Sequence, residues 1–452
     1  MSQRVAGDGA GHVAGDGAGH RSGDGAGHVT GGGARHVAVI GAGIVGAACA
    51  LELLRDGHRV TIIEPGEPGG EQAASHGNGT LLNPSSVIPM SAPGIWKKVP
   101  GYLRDPLGPL AIRWRYLPSL LPWLRRFIAA GSTVEKIAAT ARALRPLLAD
   151  APARHRALAE EAGVGDLIAR QGVLFPFTDR AAFDADALSW RIRHDNGTRW
   201  LELDEDELRQ REPLLHRRYT FALLVEENGQ CRDPGAYVAA LVRHAVALGA
   251  VWHRAGATGF RIENRQLRAV LTDAGEIVVD KAVIAAGAYS KHLAAAAGDR
   301  VPLETERGYH AVISDPGIAP RYPAMPNDGK MAFAMTPAGL RIAGQVELAG
   351  LEAAPNWQRA RILLDFARKV YPGLPDDLPA ERVKFWMGHR PSMPDGLPCL
   401  GPASGCADIV HAFGHGHIGL TAGAATGRIV ADIVSGCQPA IDFTPYSARR
   451  FA

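Results

Sequence analysis

A glycine-rich turn between two strand-like segments, within residues 36–65, constrains the fold of this chain more than any other feature. Residues 37–40 are apolar and rich in β-branched side chains, which is typical of a strand buried on both faces. A helix is predicted over about 44–56, and it is followed by a second apolar strand over 60–63. The order strand, turn, helix, strand predicts a Rossmann-like βαβ unit.

The turn itself has the spacing G-x-G-x-x-G, formed by Gly41, Gly43 and Gly46. In such a turn the glycines allow a tight bend, a close approach by a pyrophosphate and close packing of helix on strand. Glu64, at the end of the second strand, suits a ribose 2′-hydroxyl and disfavours a 2′-phosphate. We therefore expect a dinucleotide, FAD or NAD before NADP. The alternative is a glycine-rich loop in an ordinary βαβ unit.

Length and composition set broad limits. A chain of 452 residues suggests two or three domains, and a net charge of +3 gives no reason to expect a nucleic-acid partner. The cysteines are odd in number, scattered and without a C-x-x-C pair, so they predict neither a disulfide framework nor a metal site. They are Cys49, Cys231, Cys399, Cys406 and Cys437. A reducing compartment is the simpler assumption.

The N-terminus, residues 1–34, carries an octapeptide repeat, GDGAGHVA, GDGAGHRS, GDGAGHVT and a decayed GGGARHVA. Glycine-rich sequence of this kind buries too little apolar area to offset its ordering entropy, so the tail is predicted to be disordered. Its regularly spaced histidines, His12, His20 and His28, leave weak metal binding open, beside a simple solvated tail.

No apolar run is long enough to span a membrane, and the N-terminus lacks the apolar segment of a signal peptide, so a cytoplasmic location is expected. Residues 95–127, however, combine aromatic and basic side chains with a single acid, Asp105. This composition is compatible with peripheral contact at the inner face of the cytoplasmic membrane, or with a basic outer face of a second domain. The residues concerned are Trp96, Lys97, Lys98, Tyr102, Arg104, Arg113, Trp114, Arg115, Trp123, Arg125 and Arg126.

Three further segments suggest contact with a ligand. The loop ASHGNG, residues 74–79, is rich in small and polar residues and is open to two readings, a cofactor-wrapping loop or a plain surface loop. The segment VIAAGAYS, residues 283–290, is a buried strand that stops at a turn of small residues. Near the C-terminus, a glycine-histidine loop opens a helix predicted over about 418–434, which is a second helix N-terminus suited to negative charge.

Together with GHRPSMPDGLPCLGP at 388–402, these motifs resemble the D-amino acid oxidase-like flavoprotein superfamily, most closely its small-subunit-like D-amino acid dehydrogenases. The resemblance extends over residues 35–451. It implies an α/β fold in which a discontinuous Rossmann-like FAD-binding domain carries an inserted α+β substrate domain with an antiparallel sheet. The FAD-binding domain would comprise 35–90, 221–300 and 389–452, and the substrate domain 91–220 and 301–388.

The resemblance also implies FAD as cofactor, and we expect it to be non-covalent because no cysteine lies in a motif for attachment. The pyrophosphate would lie at the first glycine turn and the isoalloxazine at the second helix, whose N-terminus would stabilise negative charge on the reduced ring. The expected cofactor-binding residues are Gly41, Gly43, Ile44, Val45, Gly46, Glu64, Ser75, Asn78, Gly79, Ala257, Ala286, Gly287, Gly414, His415, Gly416, His417, Ile418, Gly419, Leu420 and Thr421. His415 and His417 are equally well read as packing residues.

For the substrate, the resemblance places Arg390 as the anchor of an α-carboxylate, because a guanidinium matches a carboxylate bidentately. The alternative is a structural salt bridge to a nearby acid such as Asp395. Tyr309 is a candidate hydroxyl over the substrate, or else a core tyrosine. His389 is a further catalytic candidate, and His310 is a weaker one.

The implied reaction is oxidation of a D-amino acid or cyclic imino acid, of the D-proline or hydroxy-D-proline type, by hydride transfer to flavin N5. Two alternatives stay open, a glycine- or sarcosine-type amine oxidase and a flavin-binding subunit of a larger redox complex. The electron acceptor is left open between oxygen and a quinone, and so is the formation of a homo- or hetero-oligomer.

Overall fold

The computed structural model describes residues 33–97, 99–104, 108 and 110–452. The predicted disordered tail therefore lies outside the described residues, apart from Gly33 and Ala34. The same holds for Lys98 and Asp105 of the basic aromatic segment. No described helix combines the length and the apolar character that crossing a membrane requires.

Twelve α-helices and twenty strands form in the described part of the chain. The helices are α1 (Ile44–Arg55), α2 (Val99–Arg104), α3 (Leu117–Ala130), α4 (Val134–Leu148), α5 (Ala151–Glu161), α6 (Arg180–Ala185), α7 (Ala187–Asp195), α8 (Glu205–Arg211), α9 (Pro234–Ala247), α10 (Ser290–Ala296), α11 (Trp357–Val370) and α12 (Gly419–Ser435). The strands are β1 (His36–Ile40), β2 (Arg59–Ile63), β3 (Leu81–Leu82), β4 (Leu110–Ile112), β5 (Ile168–Ala169), β6 (Val173–Phe177), β7 (Leu201–Leu203), β8 (Phe221–Val225), β9 (Gly229–Cys231), β10 (Val251–His253), β11 (Ala257–Glu263), β12 (Gln266–Thr272), β13 (Gly275–Val278), β14 (Lys281–Ile284), β15 (Glu304–Ile313), β16 (Ala332–Thr336), β17 (Gly339–Leu348), β18 (Val383–Ser392), β19 (Cys399–Pro402) and β20 (Ile409–Phe413).

A six-stranded sheet of order β10-β2-β1-β14-β20-β19 forms the first layer, and its first five strands are parallel. β1 lies inside the sheet because residues 37–40 are apolar and buried on both faces. Helices α1, α9 and α12 cover one face, and the three-stranded sheet β11-β12-β13 lies on the other. Since the strands run parallel, the residues that follow β1, β2, β14 and β20 meet at one edge of the sheet.

Close packing of α1 against α12 depends on two glycines of α12. A Cβ at Gly427 would lie 2.8 Å from the carbonyl carbon of Ala48, and one at Gly423 would lie 2.9 Å from Cγ1 of Ile44. Both distances are shorter than Cβ contacts allow, so glycine is required at these two positions. The N-termini of the two helices are thereby held next to each other.

The second sheet, of order β16-β17-β15-β18, is antiparallel, and β4 joins it parallel to β17. One face of this sheet packs on α11 around a separate apolar core. The three-stranded sheet β6-β8-β7 is joined to the second sheet through β-bridges at Ala324. The predicted class, a Rossmann-like α/β unit combined with an α+β unit that has an antiparallel sheet, is confirmed.

The individual domain boundaries stay a prediction. The strand pairing favours moving two of these boundaries. β8, which the prediction assigns to the FAD-binding domain, pairs with β6 and β7 of the substrate domain. β18 runs without a break through the predicted boundary at residue 388.

Helices α4 and α5 are separated at Asp150, whose φ of 56° lies in the left-handed region. Pro152 lies in the first turn of α5. The leucines of these two helices that face the core, Leu144, Leu147, Leu148 and Leu158, are all buried.

Candidate active site

The first glycine turn is packed tightly against the end of β14. Gly41 has a φ of 103°, and a Cβ there would lie 2.5 Å from the carbonyl oxygen of Ala285. A Cβ at Gly46 would lie 1.9 Å from the carbonyl oxygen of Gly41. Both positions therefore exclude any side chain, and the start of α1 is brought close to the edge of the sheet.

Two polar side chains converge on this turn. The carboxylate of Glu64 accepts hydrogen bonds from the backbone N–H of Ala42 at 2.9 Å and of Gly66 at 3.2 Å. The hydroxyl of Ser75 accepts one from the N–H of Ile44 at 3.0 Å. Gly43, the N-cap of α1, has no side chain with which to cap the helix. Ser75, in the loop at 74–79, therefore supplies the hydrogen-bond acceptor at the positive end of α1.

The second glycine turn connects β20 to α12. Gly414 and Gly416 have φ values of 84° and 53°, and α12 begins without a side-chain cap. His415 is buried and its Nε2 lies 3.0 Å from Oγ1 of Thr426, so its ring faces the helix. Burial lowers the pKa of His415 to about 4. His417, by contrast, is exposed and lines a cavity.

The remaining predicted cofactor residues differ in what they can offer. Ala286 and Gly287 follow β14 at the same sheet edge as the two turns. The side chains of Ile418 and Leu420 are buried, which leaves only their backbone atoms for a ligand. Val45 and Gly419 lie in the first turns of α1 and α12. The hydroxyl of Thr421 accepts a hydrogen bond from the N–H of Asn83, and Ala257 begins β11.

The loop at 74–79 lies against one face of the second sheet. Nη1 of Arg341 donates to the carbonyl oxygens of His76 and Asn78, at 3.2 and 3.1 Å. Nδ1 of His310 lies 3.1 Å from the carbonyl oxygen of Gly77, and its ring stacks on Trp386 with centroids 5.1 Å apart. Gly79 also packs on this face, on the methyl groups of two alanines. We call this face, which the register of β15 and β18 defines, the site face of the sheet.

Arg390 lies on the site face. It stands directly opposite Glu306 in the antiparallel pairing of β15 and β18, and opposite residues share a face. Its Nη1 donates to the carbonyl oxygen of Gln345 at 3.0 Å, and its guanidinium covers Gly308, where a Cβ would be 2.3 Å from Nη2. Burial lowers the pKa of Arg390, and Glu306 opposes that shift.

The alternative of a structural salt bridge between Arg390 and Asp395 is wrong. The carboxylate of Asp395 pairs instead with Nε of Arg450 at 2.7 Å. Arg390 has no ion pair within 4 Å among the residues that the structure describes.

Two predicted catalytic residues lie on the opposite face, and this corrects the prediction. Tyr309 is 1% exposed, and its hydroxyl donates to Oε2 of Glu347 at 2.6 Å and accepts from the N–H of Asn356 at 3.0 Å. Nδ1 of His389 lies 2.9 Å from the hydroxyl of Thr305. Side chains alternate between faces along a strand, so Tyr309 and His389 point away from Arg390. Neither side chain therefore lies on the site face.

A narrow cavity of about 20 Å³ lies between the second glycine turn and the site face. It is lined by Pro89–Ser91, Glu306, Ser392–Pro394 and the segment 414–418, with Phe127, Leu144 and Gly396. Ser392 also bridges to His415 in antiparallel fashion, which joins the end of β18 to the start of the helix segment. Burial raises the pKa of Glu306, although Arg390 and the hydroxyl of Ser392 lower it.

Comparison with known proteins now decides the family. The family described as FAD dependent oxidoreductase matches residues 36–433, which is most of the chain. The chain belongs to this family.

Individual relatives agree with this assignment. The chain is 60% identical to a D-amino-acid oxidase of Bradyrhizobium diazoefficiens, over 92% of this chain and 98% of that protein. It is 31% identical to a D-amino acid dehydrogenase of Paramagnetospirillum magneticum, over 91% and 98%. Among solved structures, it shares its fold with glycine oxidase from Geobacillus kaustophilus (TM-score 0.67, 23% identity, 92% and 98% covered) and L-proline dehydrogenase from P. horikoshii (TM-score 0.69, 21% identity, 92% and 98% covered).

As a member of the FAD dependent oxidoreductases, the chain uses FAD, and its residues fit that cofactor. The fit rests on the adjacent N-termini of α1 and α12, whose N-cap residues, Gly43 and Ile418, supply no side-chain cap. Such ends bind anionic groups through free N–H groups and the helix dipole. Gly41, Gly43 and Gly46 would hold the pyrophosphate and Glu64 the ribose, while Gly414–Gly419 would hold the flavin end. The cysteines at 49, 231, 399 and 406 are buried, and Cys437 is partly so.

Sequence reasoning missed two residues of the site face. Glu306 lies three residues before the tyrosine that was chosen, and only the strand alternation 306, 308, 310 places it opposite Arg390. Arg341 was detectable as a single charge between Leu340 and Ile342 in an apolar strand. A buried charge of this kind needs hydrogen-bonding partners, and the carbonyls of the loop at 74–79 supply them.

Proposed function

We propose that this FAD dependent oxidoreductase oxidises a D-amino acid or a cyclic imino acid, of the D-proline or hydroxy-D-proline type, at the carbon that bears the nitrogen. The observation that carries the proposal is Arg390, a half-buried guanidinium on the site face with no ion pair in the described part of the chain. An α-carboxylate is the ligand that such a group binds best. The 60% identity to a D-amino-acid oxidase supports the D configuration.

In this proposal Arg390 binds the substrate carboxylate and thereby orients the Cα–H bond. Its bond to the carbonyl of Gln345 and its contact with Gly308 fix the guanidinium before substrate binds, which reduces the entropic cost of alignment. Bound FAD would supply the two-electron oxidant for the Cα hydride, and hydrolysis of the imino acid product would consume water. The N-terminus of α12 stabilises negative charge at that end of the cavity. The reaction needs alignment more than a dedicated general base.

The purified protein tests this directly. We expect a yellow, non-covalently bound chromophore that is released by acid denaturation. We also expect it to be bleached anaerobically by at least one of D-alanine, D-proline and hydroxy-D-proline, in a panel that also contains their L-enantiomers, glycine and sarcosine; bleaching by an L-enantiomer alone would contradict the D configuration. Bleaching by glycine or sarcosine alone would favour the amine oxidase alternative. Bleaching without turnover by the isolated chain would favour a subunit of a larger redox complex, and no bleaching at all would refute the proposal.

The electron acceptor is proposed to be either oxygen or a quinone, and the two are separable by kinetics. Reduced protein is mixed with oxygen or with a soluble quinone in a stopped-flow instrument. Reoxidation by oxygen at a rate that sustains turnover means an oxidase. Reoxidation by the quinone alone means a dehydrogenase.

The proposal includes peripheral contact with the inner face of the cytoplasmic membrane. It is supported by Trp96 and Trp114, which are 58% and 63% exposed beside the exposed Arg115, Arg125 and other cations. Trp123 of the same segment contributes nothing to this surface, because it is buried and stacks on a phenylalanine.

A vesicle assay tests the membrane contact. We expect co-sedimentation with vesicles containing phosphatidylglycerol but not with pure phosphatidylcholine. Replacing Trp96 and Trp114 together by Ala should reduce the bound fraction several-fold at unchanged thermal stability. Equal recovery with both vesicle types, or an unaffected double variant, would contradict the membrane contact.

A further inference from the structure

Glu306 is a buried acid in the cavity that has no role in the reaction outlined so far. Its residue is 6% exposed, and it lines the cavity together with Ser392 and His417. Among the described residues, no cation lies within ion-pair distance of its carboxylate. Removing a carboxylate from water is costly unless a positive charge or hydrogen-bond donors compensate. The hydroxyl of Ser392 supplies a donor to Glu306 but no positive charge. The position therefore suits a cationic group supplied by a ligand.

Arg390 and Glu306 are neighbours that do not pair with each other. They stand opposite one another on β18 and β15, a relation that places Cβ atoms about 5 Å apart. The guanidinium, however, is turned along the strands, over Gly308 and toward the carbonyl of Gln345. A cation and an anion thus stand side by side on the site face. An amino acid carries the two opposite charges on groups attached to one carbon.

We infer that Glu306 binds the amino group of the substrate while Arg390 binds its carboxylate. The two strands would then recognise both charged ends of the substrate head group and leave the side chain to the apolar wall of the cavity. The inference rests on the proposed function, because it requires an amino or imino acid in this cavity. It adds that the nitrogen is recognised by a side chain of β15.

The test compares ligands that differ only in the nitrogen. D-Alanine is paired with propanoate, and D-proline with cyclopentanecarboxylate. Dissociation constants are measured on the holoprotein from anaerobic flavin reduction for the amino acids and from perturbation of the flavin spectrum for the carboxylates. The variants are Glu306→Gln, Glu306→Asp and, as matched control, Glu304→Gln. Glu304 is buried on the same strand and face, but its carboxylate accepts from the hydroxyl of Tyr116.

For Glu306→Gln we expect binding of D-alanine or D-proline to weaken about 10- to 100-fold, the range for loss of a charge-assisted hydrogen bond. Propanoate and cyclopentanecarboxylate should bind equally well or more tightly, because the negative charge beside them is removed. Glu306→Asp should keep the preference for the amino acids, and Glu304→Gln should leave the ratio of the two constants unchanged. A merely structural role would weaken both ligands of a pair alike.

Four outcomes overturn the inference. Equal weakening of both ligands by Glu306→Gln would show a structural role. Unchanged D-alanine and D-proline binding, with weaker binding of D-lysine or D-arginine alone, would place Glu306 at the substrate side chain. If no amino acid reduces the wild-type flavin, the proposed function fails and the inference fails with it. If the wild type is active and Glu306→Gln binds all ligands as the wild type does, only the role of Glu306 is refuted. Should Glu306→Gln not fold, Glu306→Ala, which also removes the charge, gives the same ligand comparison.

Discussion

Replacing Gly308 by Ala tests whether the position of Arg390 controls the reaction. A Cβ at residue 308 would lie 2.3 Å from Nη2, 2.4 Å from Cζ and 2.7 Å from Nη1 of Arg390, and ordinary contact begins at 3.4 Å. The guanidinium must therefore move by about 1 Å, and a misplacement of that size costs on the order of 100-fold in rate. We expect kcat/KM to fall by about that factor, which corresponds to about 2.7 kcal/mol of transition-state stabilisation.

The fold should tolerate this change. Gly308 does not have a positive φ, and the atoms in the way belong to the end of a flexible side chain. The measurement is steady-state kinetics with the best substrate of the panel, together with flavin content and thermal denaturation. Gly259→Ala is the matched control, because its nearest neighbour, Cδ1 of Leu271, lies 3.9 Å from the new Cβ. An unchanged kcat/KM in Gly308→Ala would refute the role assigned to Arg390 geometry.

Three other predictions concern the anchor, the cofactor turn and acid stability. Arg390→Ala should raise KM by about 100-fold with flavin still bound, because two charge-assisted hydrogen bonds are lost; an unchanged KM argues against the anchor. Glu64→Ala should weaken FAD binding about 10-fold in reconstitution of the apoprotein, and equal affinity would exclude this carboxylate from the cofactor site. Burial raises the pKa of Asp299, but hydrogen bonds from His411 and Ser404 outweigh it and lower the pKa to about 2. Asp299 therefore contributes about 2 kcal/mol to the free energy of unfolding above pH 4, and this contribution is lost as the pH falls toward 2. In urea titrations, Asp299→Asn should be less stable than the wild type at pH 6, and the difference in the free energy of unfolding should vanish at pH 2.

The nucleotide-binding half of the fold was predictable because its signals are local. The helix predicted over 44–56 is observed at Ile44–Arg55, and the one predicted over 418–434 at Gly419–Ser435. Each ends at a glycine in the left-handed region, Gly57 or Gly436, and each follows an apolar run of strand length. Strand, turn and helix lie within thirty or so residues of one another, so no long-range information was needed.

The substrate half was less predictable because its site depends on register. Arg390 was found through a motif, whereas Tyr309 and His389 were chosen for their chemistry and lie on the wrong face. Which face a strand residue occupies depends on the partner strand, and β15 and β18 are about seventy residues apart in the chain. For the same reason Glu306 and Arg341 were not recognised from the sequence.

The pairing of β18 also limits how this protein can change during evolution. Along β18 the anchor alternates with residues of the apolar core, and its last residue, Ser392, bridges to His415 at the start of the helix segment. An insertion or deletion of one residue between Trp386 and Arg390 would move the guanidinium to the core face of the sheet and bring His389 onto the site face. Substrate preference in this lineage is therefore expected to diverge by substitution within β18 and β15, or by length changes in surrounding loops, while the length of β18 itself stays constant.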